Sequence, residues 1–205
     1  MEDPCLAAFA RREFLLGAGA SLLSACKLMR QIESRGHVVA TPSRAAYRPV
    51  LGALISAVLP LEDPRFPQSL TPLELERVLL ELFPLDDDPE LVDVPASMML
   101  FDDCELFDRE FAPLVHDQRS HGADEAAAAQ QDRALFADYA ERFGTGRFSL
   151  QPLAARRAYL ALWSRSGWLA RRRIYRGYKA LVLISAYSTR ALWDSIGYDG
   201  PRLQT

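Results

Sequence analysis

The pattern of apolar positions along the chain has the helical period, and proline punctuates it. Residues 49–59 (PVLGALISAVL) are apolar on nearly every side, which predicts a helix surrounded by protein. Pro60 stops it, because proline lacks the amide donor and disfavours the α conformation of the residue before it. The segment 60–70 holds three prolines and reads as a loop. Thr71-Pro72-Leu73-Glu74 then gives a helix start, with a capping hydroxyl, proline in the first turn and an acid three residues after the cap. This helix runs to about Phe83 with Leu73, Val78, Leu79 and Leu82 near one face, and Pro84 and Asp86-Asp87-Asp88-Pro89 end it. A further helix or helix pair is expected over 95–115, and 116–122 (HDQRSHG) breaks the pattern. A long alanine-rich helix follows over 124–143, closed by Gly144-Thr145-Gly146. The last two helices are expected over 151–164 and 168–193. Neither strand alternation nor a hairpin dipeptide occurs. The expected fold is all-α: a single bundle of about six helices with Pro-rich loops.

Charge is distributed unevenly along these helices. The chain of 205 residues has a formal net charge of -3, but residues 62–141 hold 21 acidic against 5 basic side chains. Residues 142–205 hold 2 acidic against 12 basic ones. Either the two halves pack together and neutralise each other, or the basic face meets an acidic partner or anionic lipid head groups. The run Arg171-Arg172-Arg173-Ile174-Tyr175-Arg176 spreads its arginines over a wide arc of one helix. Arg172 and Arg173 are therefore candidate partner contacts. The acidic half argues against nucleic acid, as does the N-terminal segment.

That segment reads as an address. Arg11 and Arg12 precede Phe14 and Leu15, which open a run of small and apolar residues ending at Ala25. A paired arginine before a short, mildly hydrophobic stretch is the pattern of the twin-arginine export route. About a dozen residues at 1.5 Å each are too few to span a bilayer. Leu23-Ser24-Ala25-Cys26 is similar to a bacterial lipobox, whose cysteine thiol receives a lipid; the alternatives are cleavage to a soluble form and an uncleaved signal anchor. Ala10 and Leu16 depart from the usual export pattern, and Glu2 and Asp3 dilute its positive charge. The expected organisation is a signal peptide over 1–25, a tether over 26–47 and a helical domain over 48–205, exported to the periplasm and held at the membrane by a lipid at Cys26. Cut at Cys26, the chain would lose Cys5, leaving Cys104 without an intramolecular partner in the domain, so the core must hold the fold together.

Candidate chemistry is scarce. The three histidines are His37, His116 and His121. His116, Asp117, His121 and Asp124 can be drawn as a metal cluster, but their spacing around Gly122 does not keep both imidazoles on one helical face. HExxH, the Glu-x-x-His repeats of di-iron bundles, GxGxxG, phosphate loops, GxSxG and the CxxCH of haem attachment are all missing. The triplet Asp86-Asp87-Asp88 lacks the spaced ligands and glycine of a calcium loop. No catalytic, cofactor or metal residue is expected in this chain.

The C-terminal third carries a family resemblance. Gly146-Arg147-Phe148-Ser149, the helix LAARRAYLALW, Tyr178 to Leu183, Ala186-Tyr187-Ser188 and the terminal LWDSIGYDGP follow one another over 146–201. This series resembles the gluconate 2-dehydrogenase subunit 3 family, the small subunits of membrane-associated sugar and alcohol dehydrogenases. A weaker likeness covers 51–79, and the acidic middle shows none. The resemblance implies a non-catalytic accessory subunit and export escort. Its partner would be an FAD-dependent catalytic subunit of the glucose-methanol-choline type, with a c-type cytochrome subunit in some complexes. FAD then belongs to the partner. Trp193, Ile196, Gly197 and Tyr198 are candidate partner contacts, since large apolar residues beside glycines after a helix end must be covered by something. The alternative is an independent lipid-anchored helical binding protein of the periplasm.

Overall fold

The computed structural model describes residues 42–85, 87, 91, 93–103, 123–167 and 169–196. Its helices are α1 (Arg44–Val58), α2 (Pro72–Leu82), α3 (Asp93–Asp102), α4 (Ala123–Phe143), α5 (Leu153–Arg165), α6 (Leu169–Tyr187) and α7 (Arg190–Ile196). A single 3-10 turn, Phe148–Leu150, precedes α5. Among the described residues the only extended pairing is an isolated bridge between Asp103 and Arg147. The all-α expectation holds.

The apolar run of α1 makes it the central helix. Tyr47, Val50, Leu51, Leu54 and Ile55 are buried on one broad face, against which α2, α3, α5, α6 and the 3-10 turn pack. Gly52 and Ser56 are only partly covered and Arg48 and Pro49 face solvent, so the helix is less fully enclosed than its composition predicts. The helix begins at Arg44, earlier than the expected start, and carries Pro49 inside it. Proline there lacks an amide donor, but burial of Tyr47 and an ion pair from Arg48 to Glu76 on α2 hold the first turn. In α2 the Thr71 hydroxyl accepts the Glu74 amide at 3.2 Å, as the capping pattern predicts. The buried face of α2 is Leu75, Glu76 and Leu79, whereas Leu73, expected on it, is exposed. Leu73 sits a half-turn from Leu75, so the contacts to α1 and α6 turn it outward.

Nearly every side chain of α3 is buried. Its Phe101 lies at the centre of a ring cluster with Phe148, Tyr159, Trp163 and Tyr178, at centroid separations of 4.8 to 5.3 Å. Ser97 on α3 and the Tyr178 hydroxyl on α6 share a hydrogen bond of 2.7 Å. Residues 104–122, with Cys104, His116 and His121, lie outside the described residues, and so does the C-terminal part of the helix expected over 95–115. Helix α4 ends as expected, with Gly144 at φ 77 donating to the Ala140 carbonyl at 2.8 Å.

The helix expected over 168–193 is two helices. The chain turns at Ser188-Thr189, where the Thr189 hydroxyl donates to the Ala186 carbonyl at 2.6 Å and the Leu192 amide reaches the Thr189 carbonyl at 3.2 Å. A hydroxyl beside its own backbone offers these groups an alternative to the helical ladder. The turn lets α7 fold back and bury Leu192 on the core.

Candidate functional site

The C-terminal helices α5, α6 and α7 carry the family-like segment, and their geometry separates buried from available side chains. The α5–α6 turn is locked from below by Asp132 of α4. Its carboxylate accepts the Ser166 hydroxyl at 2.5 Å, the Gly167 amide at 2.8 Å and Arg171 Nη1 at 3.0 Å. Both charges are out of solvent, with Asp132 2% and Arg171 1% exposed. The Arg171 guanidinium also lies 4.2 Å from the Phe136 ring centroid, where the π-face favours a cation. Arg172 Nη1 donates to the Ser166 carbonyl and ties down the same turn. Of the two basic candidates, Arg172 is thus engaged in its own fold, and Arg173 stands in solvent.

Sequence reasoning missed Asp132 and Arg171. A register argument would have found both. Arg171 shares the helical stripe of Ile174, Tyr178, Leu181, Val182 and Ser185, all buried. Asp132 begins the stripe that continues through Leu135, Phe136 and Tyr139 on α4. A charge that interrupts an apolar stripe needs an opposite charge on the facing element.

At the other end of α6 the apolar candidates emerge. Trp193 is partly buried, and its indole donates to the Tyr187 carbonyl at 2.5 Å across the α6–α7 break. Ile196, at the end of α7, is 57% exposed, and Tyr187 is 52% exposed. Trp193 and Ile196 therefore share one short helix, the first braced by its own chain and the second free for contact. Gly197 and Tyr198 lie outside the described residues, and so do Arg11, Arg12, Phe14, Leu15 and Cys26.

The two charged halves meet in few places among the described residues. Arg157 pairs with Glu62, Arg171 with Asp132 and, within α4, Arg142 with Asp138. Arg165, Arg173, Arg176, Lys179 and Arg190 make no ion pair among the described residues. Arg156 spends its guanidinium on the Ser56 hydroxyl at 2.9 Å and the Ser149 carbonyl at 3.1 Å, and burial lowers its pKa. A groove of about 510 Å³ runs between α1 and α2, lined by Arg48, Leu73, Glu76, Arg77, Leu80 and Glu81 among others. Its charges answer one another: Arg48 pairs with Glu76, and Arg77 lies 2.6 Å from Glu74 and 2.5 Å from Glu81. Among the described residues no group of three His, Cys, Asp or Glu side chains is placed to hold a metal ion. The drawn cluster of His116, Asp117, His121 and Asp124 falls outside the described side chains. No helix among the described residues is long and apolar enough to cross a membrane.

No protein-family model, curated protein or solved structure matches this chain.

Proposed function

We propose that this chain is a non-catalytic accessory subunit that escorts an FAD-dependent oxidoreductase of the glucose-methanol-choline type out of the cytoplasm. In this reading Arg11 and Arg12 address the complex to the twin-arginine route, and Cys26 anchors it to the membrane by a lipid. The flavin and the catalytic groups sit on the partner, and a c-type cytochrome subunit completes some complexes. The logic is chemical: FAD is loaded in the cytoplasm, and this route carries folded cargo.

The observation that carries the reading is the exposure of Ile196 beside the braced Trp193, within the segment that resembles the small-subunit family. Tyrosine, tryptophan and large aliphatic side chains anchor protein interfaces when a partner desolvates them. More than half of Ile196 faces solvent.

The test is retention of a co-expressed FAD-dependent oxidoreductase of the glucose-methanol-choline type by the tagged full-length protein. Ile196→Asp combined with Trp193→Ala is expected to weaken retention at least about 30-fold, the loss of even one anchor worth about 2 kcal/mol. Trp193→Ala also removes the brace to the Tyr187 carbonyl, so Ile196→Asp alone is measured beside the pair, and both must keep the helical circular dichroism. Undiminished retention by a folded double variant would overturn the interface assignment.

A further inference from the structure

A second surface on the same helices does not depend on the accessory-subunit reading. Helix α6 is 19 residues long, about 28 Å at 1.5 Å per residue. Its inner face packs on α1, α2 and α5. On the outer face, Leu169, Arg173, Arg176 and Tyr187 are exposed along one stripe at helical spacing, with Lys179 at its edge; Ala180 and Leu183, which continue the stripe, are partly buried against the core. Arg173, Arg176 and Lys179 are exposed and make no ion pair among the described residues, and Arg165 and Arg190 extend the unpaired positive charge at either end of α6.

The exposed charges that α6 itself presents are all positive, and Asp194 on α7 is the first carboxylate beyond it in sequence. Residues 142–193 contain eleven arginines and lysines and no carboxylate. A protein interface that fixes one register uses charges of both signs, so that misplaced contacts are repelled. A surface of one sign carries no register. It suits a partner that is itself uniformly anionic and laterally unpatterned. Exposed apolar side chains flank the charges: Leu169, 48% exposed, at one end of α6 and Tyr187 at the other. A phosphate backbone offers nothing to such side chains. The boundary between head groups and acyl chains does, and tyrosine is enriched there.

We propose that the outer face of α6 docks on an anionic lipid surface, with Arg173, Arg176 and Lys179 among the head groups and Leu169 and Tyr187 at the acyl boundary. The contact is electrostatic and reversible, and it lays the helix flat against the bilayer. It orients whatever else the chain carries, whether or not a lipid is attached at Cys26.

The test uses the full-length chain bearing Cys26→Ser, so that no acyl chain contributes, and flotation with vesicles. Vesicles of phosphatidylcholine with about 30% phosphatidylglycerol should bind it at low salt, release it at high salt, and outcompete pure phosphatidylcholine. Arg173→Glu with Arg176→Glu should reduce binding at least about 20-fold, since each basic residue near an anionic surface contributes about fivefold. The matched pair Arg65→Glu with Arg77→Glu, at exposed positions on the loop before α2 and on α2 itself, should change binding less than about threefold. All variants should keep their helical circular dichroism. Equal binding to uncharged vesicles, equal loss with the control pair, or unaltered binding by the α6 pair would overturn the proposal. Displacement from anionic vesicles by a short DNA duplex would do the same, in favour of a nucleic acid. Failure to float, with loss of flavoprotein retention by the α6 pair, would reassign the face to an acidic protein.

Discussion

Asp132→Ala is expected to destabilise the fold by about 3–5 kcal/mol, the usual cost of removing one partner of a buried ion pair. The carboxylate is the common acceptor for Ser166, the Gly167 amide and Arg171. Its removal strips the buried guanidinium of this carboxylate and deprives two further donors of their acceptor. A domain of this size has a total stability of roughly 5–15 kcal/mol, so the variant should approach the limit of folding. The double change Asp132→Ala with Arg171→Met should be less damaging than Asp132→Ala alone. Methionine removes the stranded charge and keeps the contact with Phe136 and Trp163. Urea unfolding measures both. A single-variant loss below about 1 kcal/mol would mean that the clasp is solvated in solution.

Phe101→Ala is the second large effect, at about 3–5 kcal/mol. Phe101 is buried and makes edge contacts to Phe148, Trp163 and Tyr178 and a tilted contact to Tyr159. It is the one ring that joins α3 to the 3-10 turn, α5 and α6 together. Truncation removes the transfer energy of the ring and opens a cavity that four rigid aromatic neighbours cannot collapse to fill. Phe101→Leu keeps most of the volume and should cost considerably less. A thermal melt in which alanine and leucine variants behave alike would contradict this packing account.

Strong local signals made much of this fold readable in sequence. The Thr71 cap of α2, the apolar run of α1 and the Gly144 stop of α4 each arise from chemistry within one or two helical turns. Features that depend on the neighbour were hidden. Pro49 reads as a helix start, but Tyr47 finds a buried site against other elements and draws the helix back to Arg44. Ser188-Thr189 is a weak breaker, and the end of α6 is decided by where Leu192 must pack. Leu73 looks apolar-faced until α1 and α6 choose the other side of α2. The candidate site divided in the same way. Arg172 and Arg173 are adjacent in sequence, but one braces a turn and the other faces solvent, because 100° of helical rotation separates them. The most buried arginine of the run, Arg171, was legible only by register with Ile174 and Tyr178.

The proposed escort role is tested most directly by fractionating cells that co-express this chain with an FAD-dependent oxidoreductase of the glucose-methanol-choline type that has no leader of its own. With Arg11 and Arg12 intact, both proteins should reach the periplasm, and the flavin absorbance should travel with them. With Arg11→Lys and Arg12→Lys, both should remain in the cytoplasm as a folded, FAD-loaded complex. Periplasmic delivery of the flavoprotein that is unchanged by the double substitution, or that occurs without this chain, would contradict the account.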